Sequence, residues 1–394
     1  MRKQNILRVC HKFLINNDGY DLDIQDLCSS TSKEYENYVI TYINTPLNSY
    51  IKRNNLLKKG EFYYHKKSKA YIYPINYELF NNNYLRDLYV MYNFRIFLSS
   101  FKKVFSLINP YIIHIQGTLL PQFLYAALYS RKQCKVFVTN HIGLINQELV
   151  GQKLGILLLK YLIHNILPFF CTSVISVSNH SRNSFHFYKK NVIVINPVPK
   201  IPKNKKAEFK EVLAENTLEN NFCINKKDKV FCCIGRFSSQ KNQLNVIKSF
   251  NTILKKDKNY KLILIGKANV HSQYYREIRK EINIYPDSYC LIDEIENRKV
   301  INVIENSDYL IAASYNEGFG RNAMEALLLG KPVIVSKRAG YEDFVENGGN
   351  GLFVDPDNIK EIASSIKRIK NFIVKNKHSH KVYIDEMMKV YQDG

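Results

Sequence analysis

The chain has 394 residues, 45% hydrophobic and 23% charged, and its 57 Lys+Arg against 35 Asp+Glu give a formal net charge of +22. That composition excludes disordered and fibrous classes, and at roughly 100–200 residues per domain the length predicts two domains, each with its own core. Residues 1–200 hold 25 Lys+Arg and 10 Asp+Glu and residues 201–394 hold 32 and 25, so the more basic first half suits nucleic acid, an anionic membrane face, an anionic substrate or plain solvent.

In chain order, the first apolar run, NILRVC (5–10), is too short for a secretory leader and reads as a strand, which predicts a cytoplasmic location. Strands follow at NYVITY (37–42), YIIHIQ (111–116), KVFVT (135–139), SVISVS (173–178) and VIVI (192–195), with helix-length segments between them. The stretch 51–77 interleaves Lys with Tyr. It suits a nucleic-acid contact, a variable acceptor loop or a solvated insertion. The most apolar segment, 154–170, is broken by Lys160, His164, Asn165 and Pro168, short of the about 20 apolar residues that span a bilayer. A buried or half-buried helix is expected there. The eight cysteines show no C-x-x-C pair and read as reduced, mostly buried thiols.

Segment 197–216, with three prolines and a run of lysines, reads as a linker. Beyond it come strands at 229–235, 261–266, 289–292, 309–314, 332–336 and 351–354, with helices at 242–254, 272–282, 298–305 and 321–329. These strands are apolar throughout, as in parallel sheets buried on both faces. The expected fold is two doubly wound, Rossmann-like α/β domains facing a central cleft. Residues 1–200 form the amino-terminal domain and 201–377 the carboxyl-terminal one. Residues 378–394 form a helix that returns toward the first domain on a stripe of Val382, Ile384, Met387, Met388 and Tyr391.

The segment SYNEGFGRNAMEALLLGKPVIVS (314–336) reads strand, glycine-rich turn, helix, strand. Gly318 and Gly320 allow close backbone approach, and a helix starting near Arg321 turns its unpaired N–H groups toward a phosphate or diphosphate. Glu317 before the helix and Glu325 two turns along it can accept hydrogen bonds from hydroxyls on either side of that phosphate. At ~1.5 Å per residue such a spacing is about 12 Å, too wide for a glycosidase pair. In CCIGRFSSQKNQ (232–243), Arg236 can fork phosphate oxygens and Lys241 can add a point charge. Alternatively, Ser238 and Ser239 are ordinary helix caps. Two D-x-D matches, Asp21/Asp23 and Asp355/Asp357, are coincidental, and no metal is required.

Together with KRAGYEDFVENGGNGLFVDPDN (337–358), these segments resemble the carboxyl-terminal half of the retaining nucleotide-sugar glycosyltransferases of glycosyltransferase family four, which have the GT-B fold. The resemblance implies that Arg236 and Lys241 contact a donor diphosphate, Glu325 the ribose hydroxyls and Glu317 the sugar hydroxyls. The backbone of Gly318, Phe319 and Gly320 would line sugar and phosphate. It also sets His141 near the donor sugar, and a lone histidine is otherwise a satisfied core or loop residue. The family's Gly-Gly pair after the first strand is here Gly19 followed by Tyr20, and Asp343 stands for the usual Glu. The implied activity is retaining sugar transfer to a saccharide or lipid-linked acceptor in surface polysaccharide or lipopolysaccharide assembly, with no cofactor beyond the nucleotide-sugar co-substrate. Peripheral contact with an anionic membrane is one of the uses that the basic first half allows. The alternatives are an epimerase or phosphorylase on the same scaffold, or a basic nucleic-acid-binding protein.

Overall fold

The computed structural model describes residues 3–11, 13–15, 19–43, 45–76, 86–141, 154–187, 191–202, 209, 211–213, 222–293, 295–370, 372 and 378–393. The chain forms two compact units, one running to Pro197 and taking in the terminal helix from His380, the other from Val198 to Ser379.

The first unit is built on β1 (Gln4–Cys10), β2 (Tyr35–Ile43), β3 (Leu57–Lys59), β4 (Phe62–His65), β5 (Ala70–Asn76), β6 (Ile112–Gln116), β7 (Lys135–Asn140), β8 (Ser173–Ser176) and β9 (Val192–Val194). Its helices are α1 (Gly19–Thr31), α2 (Leu47–Arg53), α3 (Arg86–Ile108), α4 (Pro121–Ser130), α5 (Leu154–Ile166) and α6 (Asn179–Arg182). The sheet order is β3-β4-β5-β2-β1-β6-β7-β8-β9. All pairings are parallel except the β3–β4–β5 meander. From β1 the chain winds outward through β2, and from β6 it winds the other way through β7 to β9. The order therefore reverses between β1 and β6, the crevice where doubly wound sheets bind ligands.

The second unit holds β10 (Lys229–Ile234), β11 (Tyr260–Ile265), β12 (Tyr289–Ile292), β13 (Tyr309–Ala312), β14 (Val333–Ser336) and β15 (Gly351–Val354), all parallel in the order β12-β11-β10-β13-β14-β15. Its helices are α7 (Gln243–Leu254), α8 (Gln273–Ile282), α9 (Asn297–Asn306), α10 (Arg321–Leu328) and α11 (Ile359–Arg368), and α12 (His380–Asp393) belongs to the first unit. β11 and β14 are buried along their whole length, as parallel strands covered by helices on both faces must be. α7 buries Val246, Ile247, Phe250, Ile253 and Leu254, a spacing that turns one helical stripe onto the sheet.

One expectation is corrected, the buried stripe of the terminal helix. Residues 51–76, a stretch that suits a nucleic-acid contact, an acceptor loop or a solvated insertion, carry the end of α2 and then β3, β4 and β5, a meander that extends the first sheet, with half-buried Tyr71 and Tyr73 alternating with buried Ala70 and Ile72 on β5. The apolar segment 154–170 holds the half-buried helix expected there, for α5 exposes Leu158, Leu159, Leu162 and Ile166 along one face and buries Ile163. On α12 the buried stripe is Tyr383, Met387 and Tyr391, while Val382 is exposed. The free cysteines fit reduced thiols, with only Cys223 fully exposed.

Candidate active site

In the second unit the strand order reverses between β10 and β13, which lie side by side. The loop after β10 carries Arg236 and Lys241, and the loop after β13 carries Glu317, Gly318, Phe319 and Gly320. One switch point thus collects residues from two segments of sequence far apart. Asn242 fastens the two loops: its amide donates to the carbonyls of Ala313 at 3.0 Å and Pro356 at 2.7 Å. It does so from a left-handed conformation, φ 58°. The expected serine caps are absent, for Ser238 makes no side-chain cap and α7 begins after Asn242 instead.

Lys241 donates from Nζ to Oε1 of Glu317. Both side chains are about four-fifths buried, with 20% and 18% exposure. Ser314 Oγ donates to the same carboxylate oxygen at 3.1 Å. Arg236 is exposed at the mouth of this loop. Gln243 closes the loop from beneath, its amide donating to the carbonyls of Gly235 and Arg236 at 3.1 and 2.8 Å.

Gly320 has φ +88°, and a Cβ there would run into the Tyr341 ring. Only glycine fits on both counts. Gly318 and Phe319 are buried, with Phe319 tilted against Phe344 at 4.8 Å between ring centroids. Burial pushes the Tyr341 hydroxyl well above its ordinary range, and the nearby Glu317 charge adds to the shift. Glu325 is the fifth residue of α10, one turn in rather than two, and its carboxylate accepts from Arg321 Nε at 2.9 Å with 3% of its side chain exposed. Asn242, Ser314, Arg321 and Tyr341 were not singled out by the sequence, although Arg321 and Glu325 stand at the i,i+4 spacing of a helical ion pair.

The D-x-D segments serve other ends. Asp21 is buried and accepts from the backbone N–H groups of Leu14 and Ile15 at 2.9 and 3.1 Å, which pins the chain after β1. Asp355 and Asp357 both hold the Arg338 guanidinium, at 2.8 and 2.7 Å. Among the described residues no group of three His, Cys, Asp or Glu could hold a metal ion.

In the first unit Gly19 opens α1, and Tyr20 reaches across the switch point to donate from its hydroxyl to the Gln116 carbonyl at 2.8 Å. The Tyr20 ring meets that of His141 edge-on, with centroids 4.8 Å apart. His141 follows β7, and its Nε2 lies 2.9 Å from Gln116 Oε1. Burial pushes its pKa down to about 3. His141 also lines a small pocket with Asp23, Gln116, Thr139, Tyr383 and Met387. The structure brings the Gly19–Tyr20 pair together with His141 and adds Gln116, which the sequence motifs do not contain. The available signal was a polar residue closing the otherwise apolar strand YIIHIQ.

Residues 215–382 match the family described as glycosyl transferases group 1. A glycosyltransferase of Methanocaldococcus jannaschii, MJ1069, is 23% identical over 388 residues, covering 97% of this chain and 92% of that one. The capsular polysaccharide biosynthesis glycosyltransferase CapM of Staphylococcus aureus is 26% identical over 258 residues, 62% of this chain and 63% of its own. Among solved structures, sucrose-phosphate synthase of Thermosynechococcus elongatus aligns with TM-score 0.74 at 16% identity, covering 99% of each chain. HepE of Anabaena, solved with UDP and glucose, aligns with TM-score 0.68 at 16% identity over 98% of this chain and 97% of that one. The fold is GT-B, and the chain is a glycosyltransferase.

Proposed function

We propose that the protein is a retaining glycosyltransferase of family four that transfers a sugar from a nucleotide-diphosphate sugar to a saccharide or lipid-linked acceptor, in surface polysaccharide or lipopolysaccharide assembly. The observation that carries the reading is the meeting of Lys241 and Glu317 at the switch point of the second unit, beside a glycine turn that no other residue can make. Arg236 and Lys241 take the diphosphate, Glu325 the ribose hydroxyls, Glu317 the sugar hydroxyls, and the Gly318–Gly320 backbone lines sugar and phosphate. His141 stands against the donor sugar. Lys241 exchanges its carboxylate partner for phosphate oxygens when the donor enters, which frees Glu317 for hydroxyls. As the sugar–phosphate bond breaks, negative charge grows on the leaving phosphate, and fixed cations with the α10 amides stabilise it. Those groups supply the positive charge without a metal in this reading, and the leaving phosphate takes the acceptor's proton. The structures of HepE with UDP and with UDP-glucose support a nucleotide-sugar donor, and CapM supports a surface polymer as product.

Thermal shift against UDP, GDP, ADP and CMP and their sugar conjugates tests the donor site. A ligand at 100 times its dissociation constant adds about 2.7 kcal/mol. One nucleotide family should stabilise the protein and lose that effect in Glu325→Ala and Lys241→Ala. Unchanged binding in both variants overturns the reading, and inverted anomeric configuration in the product overturns retention.

The membrane contact falls on α5. Leu158 and Leu159 are 56% and 50% exposed on the helix face shared with Leu162 and Ile166, and Phe169 continues it. Arg131 at the end of α4 lies over the Phe170 ring at 4.8 Å, so a basic group borders the apolar strip. Apolar residues bordered by a cation suit an anionic bilayer surface at its cytoplasmic face. No helix among the described residues is long and apolar enough to cross a membrane. Leu158→Glu with Leu159→Glu should abolish cosedimentation with phosphatidylglycerol vesicles, and undiminished cosedimentation overturns this contact.

A further inference from the structure

Arg8 stands in the middle of β1 with none of its surface exposed. Its guanidinium donates to Asn37 Oδ1 from Nε at 3.1 Å and from Nη2 at 2.9 Å, and to Thr31 Oγ1 at 3.3 Å. Nη1 reaches His114 Nδ1 at 2.9 Å and the Tyr391 hydroxyl at 3.0 Å. None of these partners is a carboxylate. A guanidinium only donates, so His114 Nδ1 is an acceptor and its proton is on Nε2, which faces Thr139 Oγ1 at 2.6 Å. The Tyr391 hydroxyl, 2.6 Å from Nδ1, also turns its proton toward that nitrogen.

The direction then passes outward along β6. Gln116 Nε2 lies 3.2 Å from His114 Nδ1, whose one lone pair Tyr391 and Arg8 already engage at shorter range, so the contact is the weakest of the three and serves to orient the amide with its hydrogens toward that nitrogen. The opposite amide orientation would set two acceptors face to face. Its Oε1 is therefore the atom turned to His141 Nε2 at 2.9 Å, and an amide oxygen only accepts. His141 Nδ1 has no hydrogen-bond partner among the described residues.

We infer that Arg8, acting through His114 and Gln116, holds His141 as the neutral Nε2–H tautomer, so that Nδ1 is a hydrogen-bond acceptor and the ligand group set against it must bring its own proton. Gln116 is the positioning residue. Set beside the donor sugar, such a histidine accepts from a hydroxyl and meets a carboxylate as a second acceptor. A neutral hexose is then favoured over a uronate; this second clause rests on the function proposed above, and the tautomer does not. Burial depresses the pKa of both His114 and His141, which agrees with neutral rings.

Long-range proton–nitrogen correlation of the imidazoles in the full-length, nitrogen-15-labelled protein reads the tautomer directly, with His141→Asn assigning the signal. At pH 7 His141 should show a protonated Nε2 and a bare Nδ1. Gln116→Glu puts a carboxylate beside Nε2–H and should bring His141 into titration near neutral pH, against the other titratable groups around it: Tyr20 and Asp23 on α1, His114 on β6 and Tyr383 on α12. A wild-type Nδ1–H form, or a Gln116→Glu spectrum identical to wild type, overturns the relay. In the same variant at pH 6 the ratio of kcat/KM for a nucleotide uronate over the matching nucleotide hexose should rise about tenfold, as a mismatched acceptor becomes a donor. An unchanged ratio with the tautomer confirmed overturns the placement of His141 on the donor sugar and leaves the relay standing.

Discussion

Lys241 and Glu317 are ion-paired across 76 residues of sequence, and the pair is formed within the second unit alone. Each side chain is about four-fifths buried, so neither charge is left to solvent if its partner is removed. Truncating one member of such a pair costs more than the pair contributes. Lys241→Met and Glu317→Gln should each lower unfolding stability by roughly 1–3 kcal/mol, and the double variant should lose less than the sum of the two. Urea unfolding of the three variants measures the coupling, and strict additivity would show that the pair carries none.

Gly320→Ala is expected to be more damaging than its size suggests. The alanine meets a left-handed φ of +88° and a Cβ clash with the Tyr341 ring at once. The strain alone is about 1–2 kcal/mol, and overpacking against a buried ring adds roughly 1–3 kcal/mol. Replacing Tyr341 by Leu in the same chain should recover the overpacking part and leave the backbone part. A double variant no more stable than Gly320→Ala alone would refute that division.

The parallel strands were legible because each is a short apolar run between helix-length segments. YCLI and GLFV match β12 and β15 residue for residue. The meander β3–β5 was not legible, since the lysines of β3 and the tyrosines of β4 and β5 give the same composition whether a strand pairs or a loop lies free. At the candidate site, Glu317, Glu325 and the glycines were visible as a local motif. Asn242 was not, because its partners Ala313 and Pro356 are about seventy and over a hundred residues away. Arg8 was hidden for the same reason: an arginine inside an apolar strand says nothing until Asn37, His114 and Tyr391 are brought around it.

The first unit should be the acid-labile part. His114 and His164 are fully buried, and burial pushes His114 well below and His164 down to about 4. His164 stacks flat on Phe185 at 4.1 Å between centroids. Below about pH 6.5 the unfolded chain takes up protons at these rings that the native state refuses. Their contribution is therefore complete above pH 6.5 and is lost as pH falls toward the folded values, at about 1.4 kcal/mol per pH unit for each ring. Hydrogen exchange resolved by peptide, at pH 7 and pH 5, should show protection falling in β6, β7 and α5 while β10–β15 hold. Equal loss in both units would contradict the assignment.

Arg8 offers the sharpest separation of stability from chemistry. Bringing a guanidinium into a dry interior without a carboxylate costs several kcal/mol, which its hydrogen bonds must offset. Of its acceptors, His114 Nδ1 keeps the Tyr391 hydroxyl at 2.6 Å, and the Thr31 hydroxyl keeps its own bond to the Leu27 carbonyl at 2.8 Å. Arg8→Met, of similar length and without charge, should therefore change unfolding stability by less than about 2 kcal/mol. Tyr391→Phe should cost about 1–2 kcal/mol by removing a buried hydroxyl shared by Arg8 and His114. The two variants part at the imidazoles. With Arg8 gone, Tyr391 can accept as readily as it donates, so His114 loses its fixed tautomer. Its depressed pKa should then rise, since Arg8 is the charge that holds it down beyond burial. Arg8→Met should mix the tautomers of His114 and His141 in a protein that remains folded, whereas Tyr391→Phe should leave both fixed. If Arg8→Met keeps both rings as they are, the cation sets nothing, and its burial serves packing alone.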